Sequence, residues 1–549
     1  MCGIWALIHA DPTDATPWFQ NFGQLAHRGP DYSSFQTYGK AMVGFHRLSI
    51  VDDTFTSHQP FLYEDNTRAV VFLCNGEIYN YRELIETFSL PPLKNDCRVL
   101  LELYLKLLRT GHEHEFSMRL KHHVHGEYAF VLLEFDRLKN LKRVVAGRDE
   151  IGVRPLYMNE GGPEWLFTSE LKGAITYPGD MVEFPPGTLR IHHFNEFGFS
   201  SLETYSHSRV YDVVANPSFP HLKLIRNAVM NSVRRRLCAD KPIAWLLSGG
   251  VDSSLVAALS AKMLGKPIRT FCCGMQEGTD LAYARQVAAH IGSNHTEVYF
   301  TAEEGLEAIR DVIRTVESWD TTTIRASVGQ YIVSNHIGTQ TDCKVVMVGE
   351  GPDEVCSSYL FNWYAPDGEA LDKAAKEYVK NIHYYDVKRA DRCIARWGLE
   401  GRVPLLDPEF IRAYWSIPGE QRMPTYKKME KWWLREAFAG TELLPDAVLW
   451  RKKEAFSDGV SGEKSWFSIL QEWIEDKVTD EEMAGAAERY PYCTPPTKEA
   501  YYYRKVFCEL MGARRQMVIP GYWQPKWAAS GQVTEYVDPS ARVLGVYTA

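Results

Sequence analysis

Two words in this 549-residue chain place reactive or anion-binding groups where chemistry could follow. The chain opens MCGIWALI, with a cysteine directly behind the initiator methionine. Termini are usually frayed and chemically idle, so the bland reading of Cys2 is chance. The second word is SGGVDSS (248–254), set between the apolar run IAWLL and the helical text SLVAALSAKML. Small residues in succession leave backbone N–H groups free to converge on an anion, and a following helix adds its dipole. A plain strand–helix turn is the competing reading. The loop lacks G-x-x-x-x-G-K-[ST], so it is no P-loop for γ-phosphate transfer. Three serines, two glycines and an aspartate in seven positions, directly after a strand, count against the plain turn.

Two further words add charge. KVVMVGEGPDE (344–354) offers Glu350, Asp353 and Glu354, oxygen donors for Mg²⁺ or acid–base groups. WRKKEAFSDG (450–459) offers Arg451 and Lys453, cations able to neutralise a leaving pyrophosphate. The histidines of KHHVHGEYAF (121–130) lack ligand partners at helical spacing and read as a solvated turn. The tyrosines of EAYYYRKVF (499–507) read as a packed helix.

These words need elements to hold them. Residues 1–190 are rich in short apolar runs cut by Gly, Asn and Asp, the pattern of strands and turns. Helical spacing of Leu100, Leu101, Tyr104, Leu107 and Leu108 predicts a helix over Cys97–Leu108. The text turns polar and irregular at about 195–215, as a linker would. After about 220, strands alternate with helices, which predicts a parallel sheet covered on both faces. The acidic word then falls at a strand's C-terminal edge, where such sheets bind ligands. Helical text continues to about 515, and the last 30 or so residues read as an extended tail.

Composition narrows the class. The chain is 45% hydrophobic and 24% charged, enough for more than one core. A net charge of −9 without Lys/Arg blocks gives no footprint for nucleic acid. Apolar runs such as YAFVLLEF are too short to span a bilayer, and no charged region precedes the first apolar letters to make a signal peptide. Eleven scattered cysteines without a C-x-x-C pair suit a reducing compartment, so a cytoplasmic location is expected.

MCGIWA, AHRGPD, FHRLSIVD, NGEIYN, GEYAFVLL, GRDEIGVRPLY, SGGVDSS, TTIRAS, GEGPDE, LEGRVPLLD, KKEAFSDG and DPSAR occur in this order. Together they resemble glutamine-hydrolysing asparagine synthetase, a class II amidotransferase fused to a synthetase, over essentially the whole chain. The resemblance implies an αββα sandwich of the N-terminal nucleophile hydrolase type at 2–190, a linker at 191–215, an ATP-pyrophosphatase-like α/β domain at 216–515 and a tail at 516–549. It also gives Cys2 a purpose. Removing Met1 leaves a free α-amine (about 7.7–8.0) beside a thiol (about 8.5), and the amine can serve as base near neutrality.

By the same resemblance, Asn75 and the Gly76 N–H form the oxyanion hole. Arg47, Leu48, Ser49, Ile50 and Val51 border the glutamine site, with Glu77 and Asp96 facing its α-ammonium. Leu246, Ser248, Gly249, Gly250, Asp252, Ser253, Cys273, Val348, Gly349 and Lys453 are implied for ATP and pyrophosphate. Asp280, Arg325, Glu350 and Asp353 are implied for the aspartate and acyl-adenylate pocket. Glu350 would be the base that deprotonates the incoming ammonia, and Asp252 and Asp353 the ligands for Mg²⁺. Glutamine, aspartate and ATP are the implied substrates, and family precedent implies a homodimer.

Several positions depart from the family's pattern. Val348 and Pro352 stand where small residues are usual around Glu350, and the Val348 N–H is the phosphate donor left to that position. Cys356, Ser357 and Ser358 replace a glycine pair, Tyr364 a lysine, Trp432 a histidine, and Arg98 a glutamate two positions from Asp96. These changes keep two other readings open. One is an amide-forming cyclase of the β-lactam synthetase type, against which Cys2, Arg47, Asn75, Glu77 and Asp96 count, since a cyclase needs no ammonia. The other is a paralogue in which only the glutaminase, or neither half, works.

Overall fold

The computed structural model describes residues 1–8, 15–159, 161, 164–196, 198–276, 278–452 and 465–538. The chain divides into two compact units. The first comprises Met1–Arg209 with two short returns, Cys238–Lys241 and Ala395–Glu400. The second comprises Val210–Leu237, Pro242–Ile394 and Gly401–Ala549.

The first unit is built on two six-stranded sheets with antiparallel pairing. In one, Gly3–Ile8 lies between Ala41–Arg47 and Trp165–Thr168. In the other, Arg68–Ile78 pairs along its whole length with Gly126–Asp136. Side chains alternate faces along a strand. Ile4, Ala6 and Ile8 therefore point inward with Val43 and Phe45, and meet Val71, Leu73, Val131, Leu133 and Val144 of the second sheet. The alternate residues Val70, Phe72, Cys74, Phe130 and Leu132 face outward onto Leu100, Leu101 and Tyr104 of the helix Arg98–Thr110. Phe22 of the helix Thr16–Gly23 stacks on His46 at 3.9 Å and covers the other outer face. The layers run helix, sheet, sheet, helix. Each fully buried Leu, Val, Ile or Phe contributes roughly 1.5–3 kcal/mol, so the strand behind Cys2 is firmly anchored.

The second unit contains a sheet ordered Asn294–Tyr299, Arg269–Gly274, Ile243–Leu246, Val345–Met347 and Glu400–Arg402. The first four strands are parallel. Ile243–Leu246 comes first in the chain yet sits centrally, so later strands are added on both sides. A topological switch of this kind opens a crevice beyond the strands' carboxyl ends. The loops 248–250 and 348–351 leave from those ends.

Two expectations need correcting. Residues 198–206, assigned to a linker, form an edge strand registered against Thr188–Asn195. The described residues after 515 are not simply extended. Trp523 and Trp527 pack with Phe361, Leu371 and Ala374, and Trp527–Ala528 pairs with Gly531–Gln532. No helix among the described residues is long and apolar enough to cross a membrane.

Candidate functional sites

In the first unit, Cys2 precedes the central strand, and its Sγ lies 3.7 Å from the Leu48 carbonyl. Its own carbonyl accepts from Arg28 Nε at 2.9 Å. Arg28 is held in turn by Glu170 at 2.5 Å, and Glu170 also binds Lys172 and His27, at 2.5 and 3.1 Å. Met1 is buried, and its amino group donates to the Leu399 carbonyl at 3.0 Å. Burial lowers that amine to about 5 and raises the Cys2 thiol to about 11.

Asn75 and Gly76 lie inside the long strand Arg68–Ile78. Asn75 is 1% exposed, and its Nδ2 is buried without a hydrogen-bond partner, a donor awaiting an acceptor. Gly76 is glycine because the neighbouring strand passes so close: a Cβ there would lie 2.5 Å from the Glu127 carbonyl oxygen. Cys97 Sγ donates to the Gly76 carbonyl at 3.2 Å, and Asp96 accepts from the Ile78 N–H at 2.7 Å. Burial, partly offset by that N–H, raises Asp96 to about 6. Glu77 is buried as well.

The buried Arg47 donates to the carbonyls of Thr54, at 3.0 Å, and Asp52. In the loop that follows, Leu48, Ile50 and Val51 are buried, while the Ser49 N–H donates to Asp31 at 2.8 Å. The Ile50 carbonyl accepts from the Asp240 N–H at 3.1 Å. Sequence reasoning missed the supports: Arg28 and Glu170 behind Cys2, and Gln59, whose amide brackets both backbone groups of Cys74 at 2.7 and 3.0 Å. Arg98 finds its ion-pair partner away from the glutamine-binding candidates. Its guanidinium turns to Glu102 at 3.3 Å and over the Phe61 ring.

In the second unit one cavity opens at the sheet's switch point. Leu246, Ser248, Gly250, Asp252, Ser253, Cys273, Asp280, Gly349, Glu350 and Asp353 all line it. The serine–glycine loop closes on itself: Ser248 Oγ lies 3.1 Å from Ser253 Oγ, and the Ser248 N–H donates to Ser253 Oγ at 3.2 Å. Gly249 has φ of 74°, a left-handed conformation that glycine adopts freely, and it turns the chain into the helix Val251–Leu264. Asp280 pairs with Arg451 at 3.0 Å. Glu350 accepts from Gln330 Nε2 at 2.8 Å, and burial raises its pKa.

Asp252 and Asp353 come from the first turns of two different helices, Val251–Leu264 and Pro352–Val355, and meet on one buried lysine, Lys431, which lies 2.6 Å from Asp353. Two carboxylates around a single cation are a hard-oxygen set of the kind that suits Mg²⁺. Lys431 went unnoticed in the sequence because KKMEK reads as a solvated charge run.

Val348 and Arg325 fall elsewhere. Val348 is buried, does not line the cavity, and uses its N–H to bond the Arg402 carbonyl at 3.1 Å, so that donor is not free for phosphate. Arg325 is also absent from the lining. Glu499 holds it at 2.5 and 2.7 Å and Asp538 at 2.8 and 2.9 Å. Lys453 lies outside the described residues.

A helix-flanked double sheet that positions a second-residue thiol, joined to a parallel sheet with a serine–glycine loop at its switch point, is the architecture of an amidotransferase coupled to a synthetase. A family model for the glutamine amidotransferase domain matches residues 1–215, and one for asparagine synthase matches 224–376 and 363–532. The human asparagine synthetase [glutamine-hydrolyzing] is 40% identical over 581 aligned residues, covering 100% of this chain and 99% of the relative. The chicken and bovine proteins of the same name are each 39% identical, over 579 and 583 residues, with the same coverage. The chain belongs to the glutamine-hydrolysing asparagine synthetases.

Proposed function

We propose that the two sites run the family's reaction with the residues set out above. Removal of Met1 frees the Cys2 α-amine, which takes the thiol proton as Sγ attacks the glutamine side-chain carbonyl. The oxyanion is held by Asn75 Nδ2 and the Gly76 N–H, and the amine passes its proton to the departing nitrogen. Water then cleaves the thioester to glutamate. Arg47 takes the substrate's α-carboxylate, Asp96 and Glu77 its α-ammonium, and Leu48, Ser49, Ile50 and Val51 border the site. The orphaned Asn75 Nδ2 supports this reading, because a buried amide donor without a partner is costly unless a ligand supplies the acceptor.

In the second unit the 248–253 loop and the backbone at Leu246, Cys273 and Gly349 receive ATP. The β-carboxylate of aspartate attacks the α-phosphorus, and the bond to pyrophosphate breaks. Ammonia then displaces AMP from the acyl carbon, and Glu350 takes the surplus proton. Asp280 and Arg451 complete the charged lining. Asp252 and Asp353 fit Mg²⁺, which when bound neutralises charge on the leaving pyrophosphate. Lys431 keeps the two carboxylates together until the metal arrives. The observation that carries this half is the convergence on one cavity of Asp252, from the start of the helix Val251–Leu264, with Glu350 and Asp353, from the segment that follows Val345–Met347.

The experiment is a partition of activity. Cys2→Ala should abolish asparagine formation from glutamine and leave formation from ammonium intact; equal loss of both in a folded variant contradicts the reading. The domain limits set from the sequence, with the strand Gly198–Ser206 counted to the first domain instead of a linker, a homodimer and a cytoplasmic location belong to the same proposal. Limited proteolysis, sedimentation and cell fractionation test them in turn.

A further inference from the structure

Gln330 sits on the helix Thr321–Gln340 and is 3% exposed. The neighbouring cavity-lining residue on that helix, Val333 one turn on, is apolar. The amide Nε2 donates to Glu350 Oε1 at 2.8 Å, the orientation required while Glu350 is ionised, since the reverse would then set two acceptor oxygens against each other. Its Oε1 is therefore turned away from Glu350. That oxygen is buried and has no hydrogen-bond partner. A methionine would fill similar volume without an orphaned acceptor, which costs free energy when unpaired. Arg389, another lining residue near Glu350, offers only donors and is engaged with Asp386 at 2.5 Å.

Ammonia presents three N–H donors and one lone pair. An attacking ammonia must aim the lone pair at the acyl carbon and place its hydrogens on acceptors. We propose that Gln330 and Glu350 form the docking site for ammonia in the synthetase cavity, Gln330 Oε1 accepting one N–H and the Glu350 carboxylate another. The inference deepens the reading of Glu350 as proton acceptor and rests on it. When the C–N bond forms, the acyl C–O bond breaks and its electron pair leaves with AMP. The surplus proton moves from nitrogen to the Glu350 carboxylate and then to solvent. Gln330 is thus a specificity-determining residue for the nitrogen donor.

The test varies ammonium chloride at saturating aspartate and MgATP, with full-length protein. Gln330→Met should raise the KM for ammonia about tenfold, the worth of one buried hydrogen bond. It should lower aspartate-dependent ATP–pyrophosphate exchange far less. With glutamine as donor, the same variant should release more glutamate per asparagine, because ammonia is held less well. The acid limb of ammonia-dependent synthesis should also move to higher pH. Glu350 loses the amide that favours its ionised form, while the groups that also face it, Arg389, Asp386 and Cys393, remain. An unchanged ammonia KM overturns the proposal, as does a fall in exchange as large as the fall in synthesis, which marks Gln330 as mere cavity packing. If the unaltered protein makes no asparagine from ammonium, the function proposed above fails first, and this site with it.

Discussion

Lys431 and Asp353 form an ion pair of 2.6 Å on the wall of the cavity at the parallel sheet's switch point, and the same ammonium also reaches Asp252. Burial alone would favour the neutral amine. The two carboxylates outweigh it and hold Lys431 charged, with its pKa raised above the usual lysine range. The lysine therefore stands where two carboxylates would otherwise repel each other.

Replacing it tests both roles. Lys431→Met should destabilise the nucleotide-free protein by about 1–3 kcal/mol. That is less than the loss of a fully buried pair, because Asp252 and Asp353 retain 19% and 28% side-chain exposure. Mg²⁺ added without nucleotide should raise the variant's melting temperature more than that of the unaltered protein. Equal shifts in the two would place the metal elsewhere.

Ser357, in the stretch that departs from the family's glycine pair, has φ of 54°. The left-handed conformation costs a non-glycine residue roughly 1–2 kcal/mol, and the buried Ser357 Oγ has no hydrogen-bond partner. Ser357→Gly should therefore stabilise the protein by about 1–2 kcal/mol in a denaturant titration. A neutral or destabilising result would mean that the hydroxyl has a partner in solution.

Asp96 bears on the pH dependence of the first site. Burial raises its carboxyl to about 6, so it is ionised at neutral pH and protonated below that value. Protonation removes the charge that would meet the glutamine α-ammonium. The KM for glutamine should rise as pH falls through about 6, with ammonia-dependent synthesis tracking Glu350 separately. Asp96→Asn should raise the KM throughout and flatten that limb. A limb that persists unchanged in the variant belongs to another group.

Much of this was legible from the sequence because the chemistry is carried by contiguous words. Cys2, Ser248–Ser253 and Glu350–Asp353 each sit where a strand begins or ends, and local pattern finds such places, while Asn75–Gly76 lies inside a strand and was found only through the family word NGEIYN. What escaped depends on tertiary pairing. The edge strand Gly198–Ser206 has one solvated face and few apolar letters, so it read as a linker. The Val348 N–H is spent on Arg402, a partner 54 positions away that no local pattern announces. Arg325 is claimed by Glu499 and Asp538 for the same reason. Gln330 hid within an otherwise ordinary helix, and only the cavity gives its amide a meaning.

The N-terminus decides the central claim. With Met1 in place, a thiol at about 11 is ionised to roughly one part in ten thousand at pH 7, and no free α-amine sits on residue 2 to activate it. The measurement is the intact mass of the N-terminal peptide, taken on the sample whose glutaminase rate is recorded. The account predicts that activity scales with the fraction of chains beginning at Cys2. Full glutaminase activity in chains that retain Met1 would contradict it.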